Sequence, residues 1–246
     1  MGRTMNSPHP ARPDRTGKPE EAGQERTARR KGEPFPDFAA ATVPDRFRRS
    51  ACAADPLARG PFALDQAGVH EAGGRGRRIF ALFQAARHPG PLVWILPGHI
   101  SEAPFLPGLP AGVGARLLLL RPRSEVDLLW CCEETLRAAP VSLVIAEPQG
   151  PLSLTAGRRL QLAAGAGGTT GLLLIRDGQG SNAARTRWHC EPLPSARADS
   201  TLHRWEIIKN KTGTLRSWVL DWDGSAAAFH VVPEACERRE PAGPPR

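Results

Sequence analysis

Residues Gly68–Arg87, "GVHEAGGRGRRIFALFQAAR", set a cluster of glycines just ahead of a helix-forming run, and a strand-like segment, "PLVWIL" (Pro91–Leu96), follows. Glycines at the start of a helix are one way to hold phosphate. Without side chains the backbone N–H groups can close on an anion, and the helix N-terminus adds a positive field. The GxxxxGK[ST] form of such a loop also needs a lysine for the terminal phosphates and a hydroxyl for Mg²⁺. This stretch supplies Gly73, Gly74 and Gly76 but no Gly-Lys-Ser or Gly-Lys-Thr. Arg77 and Arg78 meet phosphate only as charges and bring no magnesium-binding hydroxyl. Ile79 and Phe80 begin an apolar helix face too early for the loop to curl round a diphosphate. The stretch therefore reads as a structural glycine turn, and no cofactor is expected.

Other candidate groups are thinner. Glu147 closes "VSLVIAEP", the place where a carboxylate orders Mg²⁺ and water in phosphoryl-transfer enzymes. Alone, it reads as a polar strand end. Arg176, Arg185 and Arg187 flank "DGQGSNAARTRW", a polar loop after a strand. Ligand loops of open α/β sheets leave the carboxyl ends of strands, so these arginines are the candidate DNA-phosphate contacts. His189 and Cys190 are neighbours on an alternating strand, face opposite sides, and make a poor metal pair. Cys131 and Cys132 read as core thiols within a helix, and His99, Ser101 and Glu102 as loop neighbours without triad geometry. No catalytic residue and no metal ligand is assigned.

These residues need a scaffold. "PLVWIL", "ARLLLL" (Ala115–Leu120), "VSLVIA" (Val141–Ala146) and "GLLLIR" (Gly171–Arg176) are short continuous apolar runs, the pattern of parallel strands buried on both faces. Helices separate the later runs. "SEVDLLWCCEETLRAA" opens with Ser124 and Asp127 in capping-box spacing, and Leu129, Cys132 and Leu136 share a face. "LTAGRRLQLAAGA" offers Thr155 as a cap, with Leu160 and Ala164 inward. The last third alternates instead. Trp205, Ile207 and Lys209 are expected on one face, Glu206, Ile208 and Asn210 on the other, with a turn at Gly213 and Trp218, Leu220 and Trp222 beyond it. The expected fold is α/β: a mostly parallel sheet flanked by helices, with a C-terminal antiparallel hairpin.

Composition bounds the rest. The chain has 246 residues, 25 Gly, 25 Pro, no Tyr and a net charge of +8. Residues 1–55 carry Pro, Gly, Arg and Glu with few large apolar groups and are expected to be a disordered basic tail. Residues 56–232 form the α/β domain, and 233–246 a second disordered tail. The basic balance favours nucleic acid, an anionic membrane or an acidic partner, without choosing among them. Five cysteines without a CxxC pattern fit reduced thiols in a cytoplasm. No apolar run is long enough to cross a membrane, so no membrane span is expected, and no membrane is named among the partners.

Taken in order, "GVHEAGG", "ARLLLLRPRSEVDLLWCCEETLRA", "LSLTAGRRLQLAAGAGGTTGLLLIR", "ARTRW" and "RWEIIKNKTGTLRSWVLDWD" resemble the ImuA family over about residues 60–223. These are bacterial damage-inducible mutagenesis proteins, distantly similar to RecA. The resemblance implies a RecA-like core and an accessory role in translesion synthesis. It implies as partners an ImuB-like Y-family polymerase homologue and an error-prone replicative-type polymerase, with RecA and single-stranded DNA as further candidates. Lys209-Asn210-Lys211 resembles the stretch by which RecA reaches nucleotide across a subunit interface. With the phosphate loop missing, Gly73, Gly74, Gly76, Glu147 and Lys209–Lys211 are read as the remnant of a nucleotide site. The leading expectation is a non-catalytic adaptor. The alternatives are a divergent RecA-like ATPase acting on DNA and a cell-division inhibitor of the SulA type.

Overall fold

A computed structural model describes residues 62–102, 104, 108–197, 200–223 and 228–232. The two expected tails lie outside the described residues. Among the described residues nine strands form a single sheet in the order β3-β2-β4-β5-β1-β6-β7-β8-β9. They are β1 (Val69–Gly73), β2 (Leu92–Ile95), β3 (Leu117–Leu120), β4 (Leu143–Ala146), β5 (Thr170–Leu174), β6 (Thr186–Leu193), β7 (Ser200–Asn210), β8 (Ser217–Asp223) and β9 (Ala228–Val232). From β3 to β6 every pair is parallel; from β6 to β9 every pair is antiparallel. The expected mostly parallel sheet with an antiparallel C-terminal hairpin is thus what forms.

Among the described residues three α-helices cover it: α1 (Arg77–Arg87), α2 (Glu125–Arg137) and α3 (Leu154–Gly167). On the α1 face, Phe62, Phe80 and Phe83 pack against Trp188 and Trp205, with ring centroids 4.9–6.4 Å apart. On the opposite face, α2 and α3 bury Leu128, Cys132, Leu136, Leu160 and Ala164 against Val93, Ile95, Val144 and Leu173. Interdigitated apolar side chains on both faces explain why the parallel strands read as unbroken apolar runs. Among the described residues no helix is long and apolar enough to cross a membrane.

Local signals mostly act where expected. The Ser124 hydroxyl accepts from the Asp127 N–H at 3.1 Å and donates to the Asp127 carboxylate at 2.8 Å, closing the cap of α2 from both sides. For α3 the cap is Ser153, which accepts from Ala156 N–H, and Thr155 is exposed within the first turn. Ser153 wins because it has the extended backbone an N-cap requires. The inward face of α2 starts at Leu128, while Leu129 is half-buried.

Two departures matter more. The run "ARLLLL" was expected to be covered on both sides, yet β3 is the sheet edge and leaves Leu118 59% and Leu119 38% exposed. A strand's own composition does not state its place in the sheet order. The second departure lies in β7. Trp188 pairs with Ile207 but Arg187 pairs with Lys209, so Ile208 is an extra residue in a β-bulge. The bulge turns Lys209 away from the face of Trp205 and Ile207 and sets it beside Arg187.

Candidate functional site

The glycine turn joins β1 to α1. β1 is short and polar in composition, but it sits at the middle of the sheet between β5 and β6, fully buried along its length. Gly74 has φ +83, a left-handed backbone that favours glycine. A Cβ on Gly74 would lie 2.3 Å from the Cys190 carbonyl oxygen, and one on Gly76 3.1 Å from it. The glycines let β6 press its backbone onto the turn. As a result the turn's N–H groups all have partners inside the protein. Gly74 N–H donates to Asp177 Oδ1 at 3.1 Å, Arg75 N–H to Glu191 Oε1 at 3.1 Å, and Gly76 N–H to the Cys190 carbonyl at 2.7 Å. Arg77 folds back, its Nη1 donating to the Gly74 carbonyl at 2.9 Å. Two carboxylates and a carbonyl stand where a phosphate loop would present donors to an anion.

A second set of contacts lies at the start of α1. Gly76 N-caps α1, so Arg78 falls where the motif places its Ser or Thr hydroxyl, two residues beyond the glycine. Its Nη2 donates to Glu147 Oε2 at 2.9 Å and its Nε reaches both Glu147 oxygens at 3.1 and 3.2 Å. Its Nη1 donates to Glu102 at 2.9 Å. Trp94 Nε1 completes the set, donating to Glu147 Oε1 at 3.0 Å. The Glu147 side chain is 5% exposed and that of Arg78 40%. Hydrogen bonds to the Glu147 carboxylate raise the Arg78 pKa above its ordinary value. A cation of the protein itself thus neutralises the Glu147 carboxylate. The cavity beside it, lined by Leu82, Trp94 and Leu96, is about 200 Å³, below the roughly 300–1,000 Å³ of small-molecule pockets.

The three arginines proposed for phosphate are tied to separate segments. Arg176 Nη2 donates to Gln149 Oε1 at 2.9 Å. Arg185 donates to the carbonyls of Gln66 and Ala67 at 3.3 and 3.2 Å, with Asp65 3.8 Å away. Arg187 turns inward: its Nε lies 2.7 Å from Glu71 Oε2, on a carboxylate that is fully buried. The other Glu71 oxygen accepts from Ser181 N–H at 2.7 Å, and Gly180 lies so close over the Arg187 guanidinium that a Cβ there would be 2.2 Å from it. Lys209 and Lys211 donate to the carbonyls of Ser181 and Ala183 at 3.1 and 2.8 Å. Burial, with Arg187 nearby, lowers the Lys209 pKa. Asn210 shapes the hairpin turn, its side-chain oxygen accepting from Thr212 N–H at 3.1 Å. This second cluster anchors the loop between β5 and β6.

Of the acids that fill both clusters, Glu102 is read from sequence only as a loop neighbour of His99 and Ser101, and Glu71, Asp177 and Glu191 are not singled out. Their signal was weak: a carboxylate inside a central strand, and two acids bracketing the loop and strand after β5. His189 stands between Asp177 and Glu191, its ring nitrogens 3.8 and 3.4 Å from their oxygens. Among the described residues no three His, Cys, Asp or Glu side chains are grouped as metal ligands. Burial raises the thiol pKa values of Cys132 and Cys190, as befits core thiols.

No protein-family model matches the chain. It is similar to Protein ImuA from two strains of Caulobacter vibrioides, at 33% identity over 54% of this chain and 61% of each relative. The match spans about three fifths of the length of these curated relatives, and over that span the chain is ImuA-like.

Proposed function

We propose that this protein is a non-catalytic accessory factor of the damage-inducible mutagenesis system, built on a RecA-like scaffold whose nucleotide site is filled by its own side chains. The observation that carries this reading is the double replacement at the glycine turn. Asp177, Glu191 and the Cys190 carbonyl take the N–H groups of Gly74, Arg75 and Gly76, and Arg78 takes Glu147. ATP chemistry needs those donors free and a hydroxyl for Mg²⁺. The likeness to ImuA supports the cellular role. Its partners are then an ImuB-like Y-family polymerase homologue and an error-prone replicative-type polymerase in the cytoplasm. Contact with single-stranded DNA goes through phosphates and uses Arg176 and Arg185, while Arg187 serves to anchor the loop.

Two measurements test this. Equilibrium binding of ATP-Mg²⁺, and phosphate release with and without single-stranded DNA, should both stay at background. Turnover that vanishes in Glu147→Gln would overturn the reading. Affinity capture from DNA-damaged cells should recover polymerase subunits; recovery of a division protein instead would favour the SulA-type alternative.

A further inference from the structure

The two ends of the parallel strands differ in charge. At the carboxyl ends the cations have acids beside them: Arg78 lies on Glu102 and Glu147, and Arg176 is followed by Asp177, whose side chain is 70% exposed. At the amino ends the turn between β7 and β8 meets the start of β6, with Asn210 opposite Thr186. Arg185, Arg187, Lys209, Lys211 and Arg216 gather there against two acids, Asp65 and the buried Glu71. Hydrogen bonds tie the group together. Lys209 Nζ and Arg187 Nη2 donate to the same Ser181 carbonyl at 3.1 and 3.0 Å. Lys211 donates from Nζ to the Ala183 carbonyl at 2.8 Å and from its N–H to the Arg185 carbonyl at 3.0 Å. Carbonyls position these cations without neutralising them. Glu206, the next acid along β7, stands short of the turn, opposite His189 and Ser217. The group therefore carries an uncompensated positive field.

The hairpin tip presents that charge to solvent. Every residue from Lys211 to Ser217 is exposed. Arg216 gives its Nε to the Thr214 hydroxyl at 3.2 Å, which keeps the Thr214 O–H and the rest of the guanidinium for an outside acceptor. Lys211 spends one of its three ammonium protons on Ala183. Leu215 is the turn's large apolar side chain, too little for the apolar centre of a protein interface.

We infer that the β7–β8 hairpin tip is a phosphodiester contact, with Lys211 and Arg216 each taking a phosphate of a DNA strand that crosses the amino end of the sheet beside Arg185. This rests on the reading above in which the protein meets single-stranded DNA, and it adds a surface at the opposite end of the sheet from Arg176. Lysine, arginine and threonine donors without a base-reading element hold the backbone and carry no sequence preference. Lys209 and Arg187 stay on the Ser181 carbonyl and contribute field rather than contact.

The test is fluorescence anisotropy of the full chain with a labelled single strand over a range of salt concentrations. The double variant Lys211→Ala, Arg216→Ala should keep the wild-type far-UV spectrum and lower the magnitude of the log–log salt slope by about 1.4, because each phosphate contact contributes about 0.7 on a single strand. Arg216→Ala alone, which leaves the Lys211 contact with the loop intact, should lower it by about 0.7. Wild-type binding with a slope unchanged in both variants would overturn the hairpin contact and leave the DNA reading standing; a wild-type chain that does not bind the strand would overturn both. Poly-glutamate binding that depends on the hairpin while DNA binding does not would assign the surface to an acidic protein and overturn the inference.

Discussion

Moderate acid should loosen this protein, and His70 sets much of the amount. His70 lies in β1, three residues ahead of the glycine turn, and is fully buried. Its hydrogen bonds define one neutral tautomer. Trp188 Nε1 donates to the Thr186 hydroxyl at 3.1 Å, so that hydroxyl is free to donate to His70 Nδ1 at 2.7 Å. His70 Nε2–H then donates to the Asp65 carbonyl at 3.1 Å. A second ring proton would place a charge in this buried site and make the Thr186 hydroxyl give up its donation to Nδ1. Burial accordingly lowers the His70 pKa from 6.5 to about 4. The unfolded chain binds a proton near its ordinary value, while the folded chain refuses it until the pH approaches 4. Stability is therefore complete above pH 6.5 and falls as pH drops through the window between the two values. Linkage gives a loss of about 1.3 kcal/mol between about pH 7.5 and 5.5, rising to about 3 kcal/mol near pH 4. Burial lowers His88 and His203 as well, so the wild-type loss should exceed the His70 share. Urea unfolding at the two upper pH values measures it. In His70→Gln the same comparison should show a loss smaller by about 1.3 kcal/mol, whatever the variant's starting stability. A pH dependence identical in both proteins would refute the assignment of a buried, neutral His70.

Three further outcomes follow from the site and the core. Arg78→Met leaves the nearly buried Glu147 with Trp94 as its remaining donor and should destabilise the protein by about 2 kcal/mol, less than a fully buried pair because Arg78 is part-exposed; chemical denaturation reads this, and a neutral result would mean that the pair is not formed in solution. Gly74→Ala puts a Cβ against the Cys190 carbonyl at positive φ and should lower stability by more than about 1 kcal/mol, seen as a drop in melting temperature without any change in nucleotide binding. A chain beginning at Pro56 should melt like the full protein, whereas one beginning at Leu64 loses Phe62, whose ring packs on Phe83, Trp205 and Trp218 and whose carbonyl accepts from Gln84, and should fall by about 3–5 kcal/mol.

Local chemistry was legible in the sequence because it acts over a few residues. The apolar runs of β2, β4 and β5, the Ser124–Asp127 cap, the alternation of β7 up to Ile207, and the absence of a lysine and hydroxyl after Gly76 all follow from spacing alone. What fills the turn could not be read that way. Arg78 meets Glu147 from 69 residues away, Gly74 meets Asp177 from 103, and Arg75 meets Glu191 from 116. Those pairings exist because the sheet order places β1 between β5 and β6 and the end of β4 within reach of α1, and strand order is set by the packing of the whole chain. The same holds for β1 itself, whose His70 and Glu71 look like loop residues until the neighbouring strands bury and pair them. The bulge at Ile208 depends on how β7 meets β6 across the sheet, so it alone moved Lys209 to the face of Arg187. The sequence determined that no lysine or hydroxyl follows Gly76; the tertiary structure decided that two carboxylates and a carbonyl would take the N–H groups of the glycine turn and that Arg78 would pair with Glu147.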